Sequence, residues 1–563
     1  MKPPYSWKRG GLLLGLLLLL VGPAALAQAP TWQTATLLTI PSAPLGYSSV
    51  QATAADANGN IYLVGNFLGY AYFGSTTLYS GSNDALFIAK WNSVSNSFAW
   101  AQKVDGGASS FVSAAAVTVS GNNIFLAGTF SGTAVDFGGI LLDAPTSKDA
   151  FVAKLVETGG TASFVWVKRT IGTGDEVATG LALNGTTAYL TGTYGGSGHG
   201  GPATFDNTTL PNSSTSTTDI FVAKLTDSGS AATFGWALRV GGSNDDVAHT
   251  IAANGSTVYL GGNVTGPVPF GSIPTYTASG RQTCFLAKLT DAGTSASFSW
   301  VQLPQGYVDI FSLAVNGNTV YAAGEFNYQT LFGSVPLSTA GALDGFVVKL
   351  TDAGATSSFV WGYRFGNGGS RYDGARALAV SGRTLYVAGY TEPQSFLAGL
   401  TDMGATAREN WTKIPQSSNG VSYAYAVTIA AGGAVYLAGN TGAPITFDAI
   451  GFNFRSYSGI GFLASLTDPI LLAATAAQDN LSFTLAPNPA LAAAVLTLPA
   501  RRGAATASFT LLDALGRALR FETLALPPAG LRHEISLVGL PAGLYALRVA
   551  VGPATATRRL VVE

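Results

Sequence analysis

Acidic residues recur at one point of this chain's pattern, and they are the first candidates for chemistry: Asp105, Asp175-Glu176, Asp245-Asp246, Asp309 and Asp373. Aromatic residues stand beside some of them, namely Phe111, Tyr307, Tyr372 and Tyr423. Glycoside hydrolysis needs only two carboxylates. Carboxylates beside aromatic faces also bind sugars or cations. The competing role is structural, because a short Asp in a Gly-rich junction accepts backbone N–H bonds. The candidate ligand-binding set is Asp175, Glu176, Asp245, Asp246, Tyr307, Asp309, Tyr372 and Asp373. No catalytic residue is assigned.

Histidine is the commonest general base, and the chain has three: His199 in a Gly-rich loop, His249 at a strand start, and His533 near the end. No HExxH, GxSxG or CxxC motif accompanies them, which disfavours a histidine triad or a zinc site. No metal ligand set and no cofactor is assigned. The Asp56-x-Asn58-x-Asn60 turn resembles a calcium loop but lacks the downstream Glu, so a plain hairpin is expected. Lys90, Lys154, Lys224, Lys288 and Lys349 each end a strand and are expected to keep solvated heads on packed stems.

The elements that position these residues repeat. Val177 to Val240 reads as four short apolar runs separated by turn residues. Asn184-Gly185 supplies the positive φ of a tight hairpin. Residues 188–192 alternate with a period of two, and no helical stripe appears. The second-strand aromatic recurs at Tyr62, Phe125, Tyr189, Tyr259, Tyr321, Tyr386 and Tyr436. The third strand recurs as ALFIAK, AFVAK, IFVAK, CFLAK, GFVVK, SFLAG and GFLAS. A fourth-strand tryptophan recurs at Trp32, Trp100, Trp166, Trp236, Trp300, Trp361 and Trp411, about 61 to 70 residues apart until a last step of about 50. Most units carry an insert between strands two and three with an aromatic followed by Gly or Asp, such as Phe205-Asp206; the sixth runs directly from Tyr390 to Phe396. These inserts are expected to be loops or small extra hairpins.

The ends are out of phase. Trp32 precedes the first full unit, and the last unit, Ala424 to Leu466, has no tryptophan strand after it. Four-stranded units cannot cover their apolar faces alone, so neighbours must stack. The N-terminal run Thr31 to Leu38 can supply the missing fourth strand. The expected fold is all-β: a seven-bladed β-propeller with a composite closing blade over residues 30–468, then a small β-sandwich over residues 481–563. An open solenoid does not explain the phase shift.

Charged residues are only 10% of the chain and the net charge is −1, so a basic face for nucleic acid is not expected. A hydrophobic content of 47% excludes wholesale disorder. Residues 1–29 read as a cleaved signal peptide: Lys2, Lys8 and Arg9, an apolar stretch from Gly11 to Val21, and the small-residue sites Ala25-Leu26-Ala27 or Ala27-Gln28-Ala29. That stretch is too short to span a bilayer, and no transmembrane segment is expected in the mature protein. Cys284 is the single cysteine, so no intrachain disulfide forms.

The units, with Asp56-Ala57-Asn58-Gly59-Asn60, IYLVGNF, AYFG and DALFIAK, resemble the β-propeller repeats of bacterial exported proteins. That family implies the fold and carries no shared catalytic set. After Asp468 an Ala/Leu-rich linker, residues 469–480, leads to Leu485-Ala486-Pro487-Asn488-Pro489, the turn from Asp513 to Arg517 with its Gly516-Arg517, Leu540-Pro541-Ala542-Gly543-Leu544-Tyr545 and the tail Arg558 to Val562. This segment is similar to the C-terminal sorting domain of the type IX secretion system. The resemblance implies a Bacteroidota-type host, type IX machinery and a sortase as partners, and delivery to the outer cell surface or the medium. The expected function is an exported, non-enzymatic binding protein for a glycan or protein partner. The alternatives are a polysaccharide hydrolase or lyase and a structural or adhesion component.

Overall fold

Alternating apolar residues and turn glycines leave little choice but strands. Apart from one 3-10 turn at Ala431–Gly433, every element of the computed structural model among the described residues is a strand. It describes residues 29–39, 46–107, 109–196, 200–212, 214, 216, 217–276, 282–366, 368, 372–417, 420–454, 459–469, 483–499, 506–513, 518–527, 529–551 and 554–563. Residues 1–28 of the expected signal peptide, most of the expected linker, His199 and Gly516-Arg517 lie outside them. No helix among the described residues is long and apolar enough to cross a membrane. The chain divides into two compact units, Met1–Asp468 and Pro469–Glu563.

The first unit is a β-propeller-like array of antiparallel sheets. The third repeat shows the plan: Asp175–Asn184, Thr187–Gly195, Thr218–Asp227 and Ala232–Val240 pair in sequence order. The strand Trp32–Leu37 is the exception to chain order. It pairs antiparallel with Ile460–Thr467 and so shares a sheet with Ala434–Thr441 and Ser422–Ile429. The first strands of successive sheets lie side by side, and Ser422–Ile429 also lies against Tyr47–Ala55. Thr53 and Thr428 hydroxyls meet there at 2.6 Å.

The inserts are hairpins whose phenylalanine plugs the sheet. Phe205 packs at 5.0 Å on Phe221 and 5.3 Å on Phe234, and Phe137, Phe270 and Phe332 repeat that triad. The following residue sits at positive φ, as Gly74 and Gly138 do at 63° and 62°, and Asp206 at 50°. Gly and Asp tolerate that turn. Trp32 packs edge-on against Phe447 at 5.3 Å. Its register is therefore that of Phe234, with a bulge before Thr34, and Thr34 takes the place of the fourth-strand tryptophan. Counting Trp32 in the tryptophan series was a slip of two residues.

Among the described residues, six junctions between adjacent sheets are each stapled by one acid, the last by Asp468, which accepts from Tyr386 and Trp411. Asp291, at the end of the fourth repeat's third strand, accepts from Tyr189 (2.7 Å) and Trp236 Nε1 (3.0 Å) and pairs with Lys224 Nζ (2.7 Å), all from the third repeat. Its own turn closes on it through the Gly293 N–H at 2.9 Å. Asp352 and Asp402 receive the same three groups from Tyr259, Trp300 and Lys288, and from Tyr321, Trp361 and Lys349. Asp227 holds Trp166 and Lys154, and Glu157 holds Tyr62 and Lys90. The lysines were expected to be solvated. They are instead largely buried ion pairs, Lys154 retaining 4% of its surface, because each stem runs along the sheet to an acid on the next one. Burial alone would raise the Asp291 pKa, but the Lys224, Tyr189, Gly293 and Trp236 donors outweigh it and hold the carboxyl below its ordinary range.

The second unit has its own core, including Phe483, Leu496, Phe509, Leu547, Val549, Leu560 and Val562. A three-stranded sheet carries Thr484–Ala486, Ala493–Leu498 and Leu531–Ser536. A four-stranded one carries Ala518–Ala525, Thr506–Leu512, Gly543–Val551 and Ala554–Val562. Asn488 pins the last strand: its Nδ2 donates to Arg559 O at 2.7 Å and its Oδ1 accepts Val561 N–H at 2.9 Å.

Candidate functional site

The eight candidate residues separate into two groups. Asp175, Glu176, Asp245, Asp246 and Asp373 belong to junctions between sheets. Asp175 pairs with Lys148 at 3.0 Å. Asp245 accepts the Thr218 N–H at 2.9 Å. Asp246 is fully buried and accepts the N–H groups of Gly242 and Thr265, both at 2.8 Å. These are the backbone-holding roles of a short acid.

Glu176 takes part in a recurring arrangement. Its carboxyl bonds to that of Asp149, which faces Arg169 at 3.4 Å. Asp246 with Asp219 and Arg239 repeats the triad. So do Asp373 and Asp344, whose carboxylates both flank Gly366, with Arg364 2.7 Å from Asp344. Burial, then the Asp149 charge, pushes Glu176 up to about 9. Glu176 is therefore protonated at neutral pH and donates to Asp149. Two touching carboxyls in a dry junction cannot both ionise.

Tyr307, Asp309 and Tyr372 fall in the second group, around Arg376. Each first strand carries a bulge at the same place. The unpaired residues are Gln51, Ala115, Thr179, His249, Phe311, Arg376 and Tyr425. Bulges re-aim a side chain, and here the last four meet. The Arg376 guanidinium lies 3.8 Å over the Phe311 ring and 5.4 Å from that of Tyr390. His249 stands edge-on to Phe311 at 5.7 Å and bonds Asn263 at 3.0 Å. Burial lowers the His249 pKa, so it is neutral at pH 7. Glu325 accepts the Tyr390 hydroxyl at 2.7 Å, with Arg376 at 3.6 Å. Burial raises its pKa.

Beside this cluster opens a recess of about 290 Å³ lined by Leu343, Tyr372, Arg376, Tyr390, Glu392, Tyr423 and Tyr425. A neighbouring recess of about 260 Å³ takes in Asp373 and Glu392. Both border the tight turn between Thr384–Thr391 and Gln394–Asp402. The other repeats have an insert there; the sixth has none, so nothing of that kind covers Glu392. Tyr307 and Tyr372 each keep 49% of their surface exposed. Sequence reasoning missed Arg376, Glu325, Tyr390, Glu392 and Tyr425. A signal was present: aligning the repeats puts Arg376 where three others have Gln51, Ala115 and Thr179.

No family model matches the chain, and no curated protein matches it. Among solved structures, a protein from Lactobacillus plantarum is similar at 12% identity and TM-score 0.32, over 69% of this chain and 95% of that one. A putative oxidoreductase (glucose dehydrogenase) from Thermus thermophilus is similar at 13% identity and TM-score 0.29, over 56% and 93%.

Proposed function

We propose that residues 30–468 are a seven-bladed β-propeller, closed by Trp32–Leu37 in the last blade, that binds a glycan without turning it over. The recess beside Arg376 carries this reading. A sugar ring offers an apolar C–H face and a rim of hydroxyls. The recess offers tyrosine faces at Tyr372, Tyr390 and Tyr423, a guanidinium donor and a carboxylate acceptor. Its volume lies near the lower end for small-ligand sites, which suits one ring of a longer chain. The closure is supported by the pairing of Trp32–Leu37 with Ile460–Thr467 and the contact of the seventh repeat's first strand with the first repeat's.

Export rests on the sequence. The signal peptide and the similarity of residues 481–563 to type IX sorting domains support delivery to the cell surface or the medium. The purified protein should bind members of a glycan array, and Tyr372→Ala should weaken that binding about tenfold, equivalent to ~1.4 kcal/mol. Parallel polysaccharide turnover assays should stay blank. Product release would move the reading to a hydrolase or lyase.

A further inference from the structure

A recess that holds one ring leaves the rest of a sugar chain outside it, and the fifth repeat offers that chain a path. Four residues before the bulge of each first strand stands Tyr307 in the fifth repeat, on Gln305–Asn316, and Tyr372 in the sixth, just before Asp373–Ser381. The two first strands lie side by side. The two tyrosines therefore hold matching positions on neighbouring sheets, each with 49% of its surface exposed. The same position holds the acids Asp175 and Asp245 in the third and fourth repeats and the half-buried Tyr47 and Phe111 in the first two.

Tyr307 is tied to the recess wall. Its hydroxyl bonds Asp309. Asp309 sits directly opposite Glu325 on Thr319–Phe332, and Glu325 accepts the hydroxyl of Tyr390, which lines the recess. Tyr307 is thus held at its hydroxyl end while half of its surface stays open. An aromatic fixed in advance loses little freedom on binding. Tyr328 adds a ring on the same strand pair, next to Asn327, which lies opposite Tyr307. Its φ is 58°, a conformation that a bulky side chain rarely takes. Asn327 Oδ1 accepts its N–H at 2.8 Å, and its carbonyl accepts the Thr339 N–H at 3.1 Å. With 77% of its surface exposed, the side chain recovers little of that strain by packing. Strain that packing does not offset points to a role outside the fold.

We propose that the glycan is an unbranched chain bound along its length, with one ring in the recess at Tyr372 and the following rings over Tyr307 and Tyr328. This rests on the glycan reading above. Stacking on successive tyrosines favours a chain whose linkages are all equatorial, because it is a flat ribbon with an apolar C–H face on each ring. An axially linked chain coils away from such a row. The other direction offers less: the seventh repeat has Val421 at the matching position, an aliphatic with no ring.

The test is calorimetric titration of the full-length protein with glucose, cellohexaose and maltohexaose, run beside the glycan array. Cellohexaose should bind at least about tenfold tighter than glucose and than the axially linked maltohexaose, as tyrosine contacts outside the recess would give. Tyr307→Ala should cost cellohexaose at least about five times more affinity than it costs glucose, whereas Tyr372→Ala should weaken both alike. Tyr328→Gly relieves the left-handed backbone. It should melt at or above wild type and still weaken cellohexaose, which keeps the test valid should Tyr307→Ala misfold. Equal affinity for glucose and cellohexaose, or unchanged cellohexaose binding in either variant, overturns the extended site and leaves the recess reading standing. Tighter binding of maltohexaose overturns the equatorial class. An array that binds other sugars and none of these overturns this inference alone, and a blank array overturns both.

Discussion

Asp291→Asn should cost the first unit far more than an exposed charge change would. The substitution keeps the shape and removes the charge. It leaves the Lys224 ammonium facing a neutral amide, with Lys224 and Asp291 side chains 13% and 6% exposed. It also puts an amide N–H₂ in place of one oxygen, either Oδ2, where the Tyr189 hydroxyl donates, or Oδ1, where the Trp236 indole and the Gly293 N–H donate. Removing one partner of a buried pair costs about 3–5 kcal/mol. Lys224→Met leaves Asp291 with its Tyr189, Trp236 and Gly293 donors, so a smaller loss, about 1–3 kcal/mol, is expected. In the double variant the stranded ammonium is gone, and its cost should fall short of the sum by more than about 1 kcal/mol. All nine tryptophans precede Asp468, so tryptophan fluorescence in urea and heat reports the first unit alone. The acid limb adds a sign check. The Asp291 pKa is depressed on folding, so its contribution is present above the unfolded carboxylate value of about 3.9 and lost as pH falls through the folded value. Asp291→Asn should flatten that limb. A loss below about 1 kcal/mol, or additivity within about 0.5 kcal/mol, would refute the staple.

Glu176 titrates in the opposite sense. Its pKa is raised to about 9 on folding, so stability is full below the unfolded value of about 4.3 and is lost as pH rises through about 9. Glu176→Gln, a stand-in for the protonated acid, should melt near wild type below about pH 4 and above it by a margin that widens as pH rises toward about 9; parallel profiles would contradict the buried pair. Deleting residues 31–38 should leave Ile460–Thr467 as a bare edge and cause aggregation or a marked drop in melting temperature; an unchanged melt would refute closure by that strand. Removing residues 554–563 takes Leu560 and Val562 from the second unit's core. It should unfold that unit, spare the tryptophan-reported transition, and retain the protein in the periplasm of its host; surface delivery of the truncated form would contradict the sorting role.

The repeat was open to reading because each strand's pattern is local: a turn glycine, a period of two, an aromatic at a fixed place. The staples were harder to see. Tyr189, Lys224 and Trp236 lie in one repeat, but the acid they share, Asp291, lies in the next, so no short window contains the group. Among the candidate acids, sequence could not separate Asp246, which spends its oxygens on backbone N–H groups, from Asp309, which faces Glu325. Asp246 lies three residues before its bulge residue, His249, and Asp309 two before Phe311; that one-residue offset moves the side chain to the other face and shows only once the bulges are placed. Arg376 was hidden by a bulge, which breaks the alternation used to assign faces. The missing insert in the sixth repeat was visible as Tyr390 running straight to Phe396, but its consequence, the two recesses at the Glu392 turn, required the neighbouring strands.

The most direct measurement is a crystal structure of the protein with a bound oligosaccharide taken from the glycan array. The account predicts a sugar ring against Tyr372 and Tyr423, with hydroxyls toward Arg376. A sugar bound on another face, with the Arg376 recess empty, would contradict it.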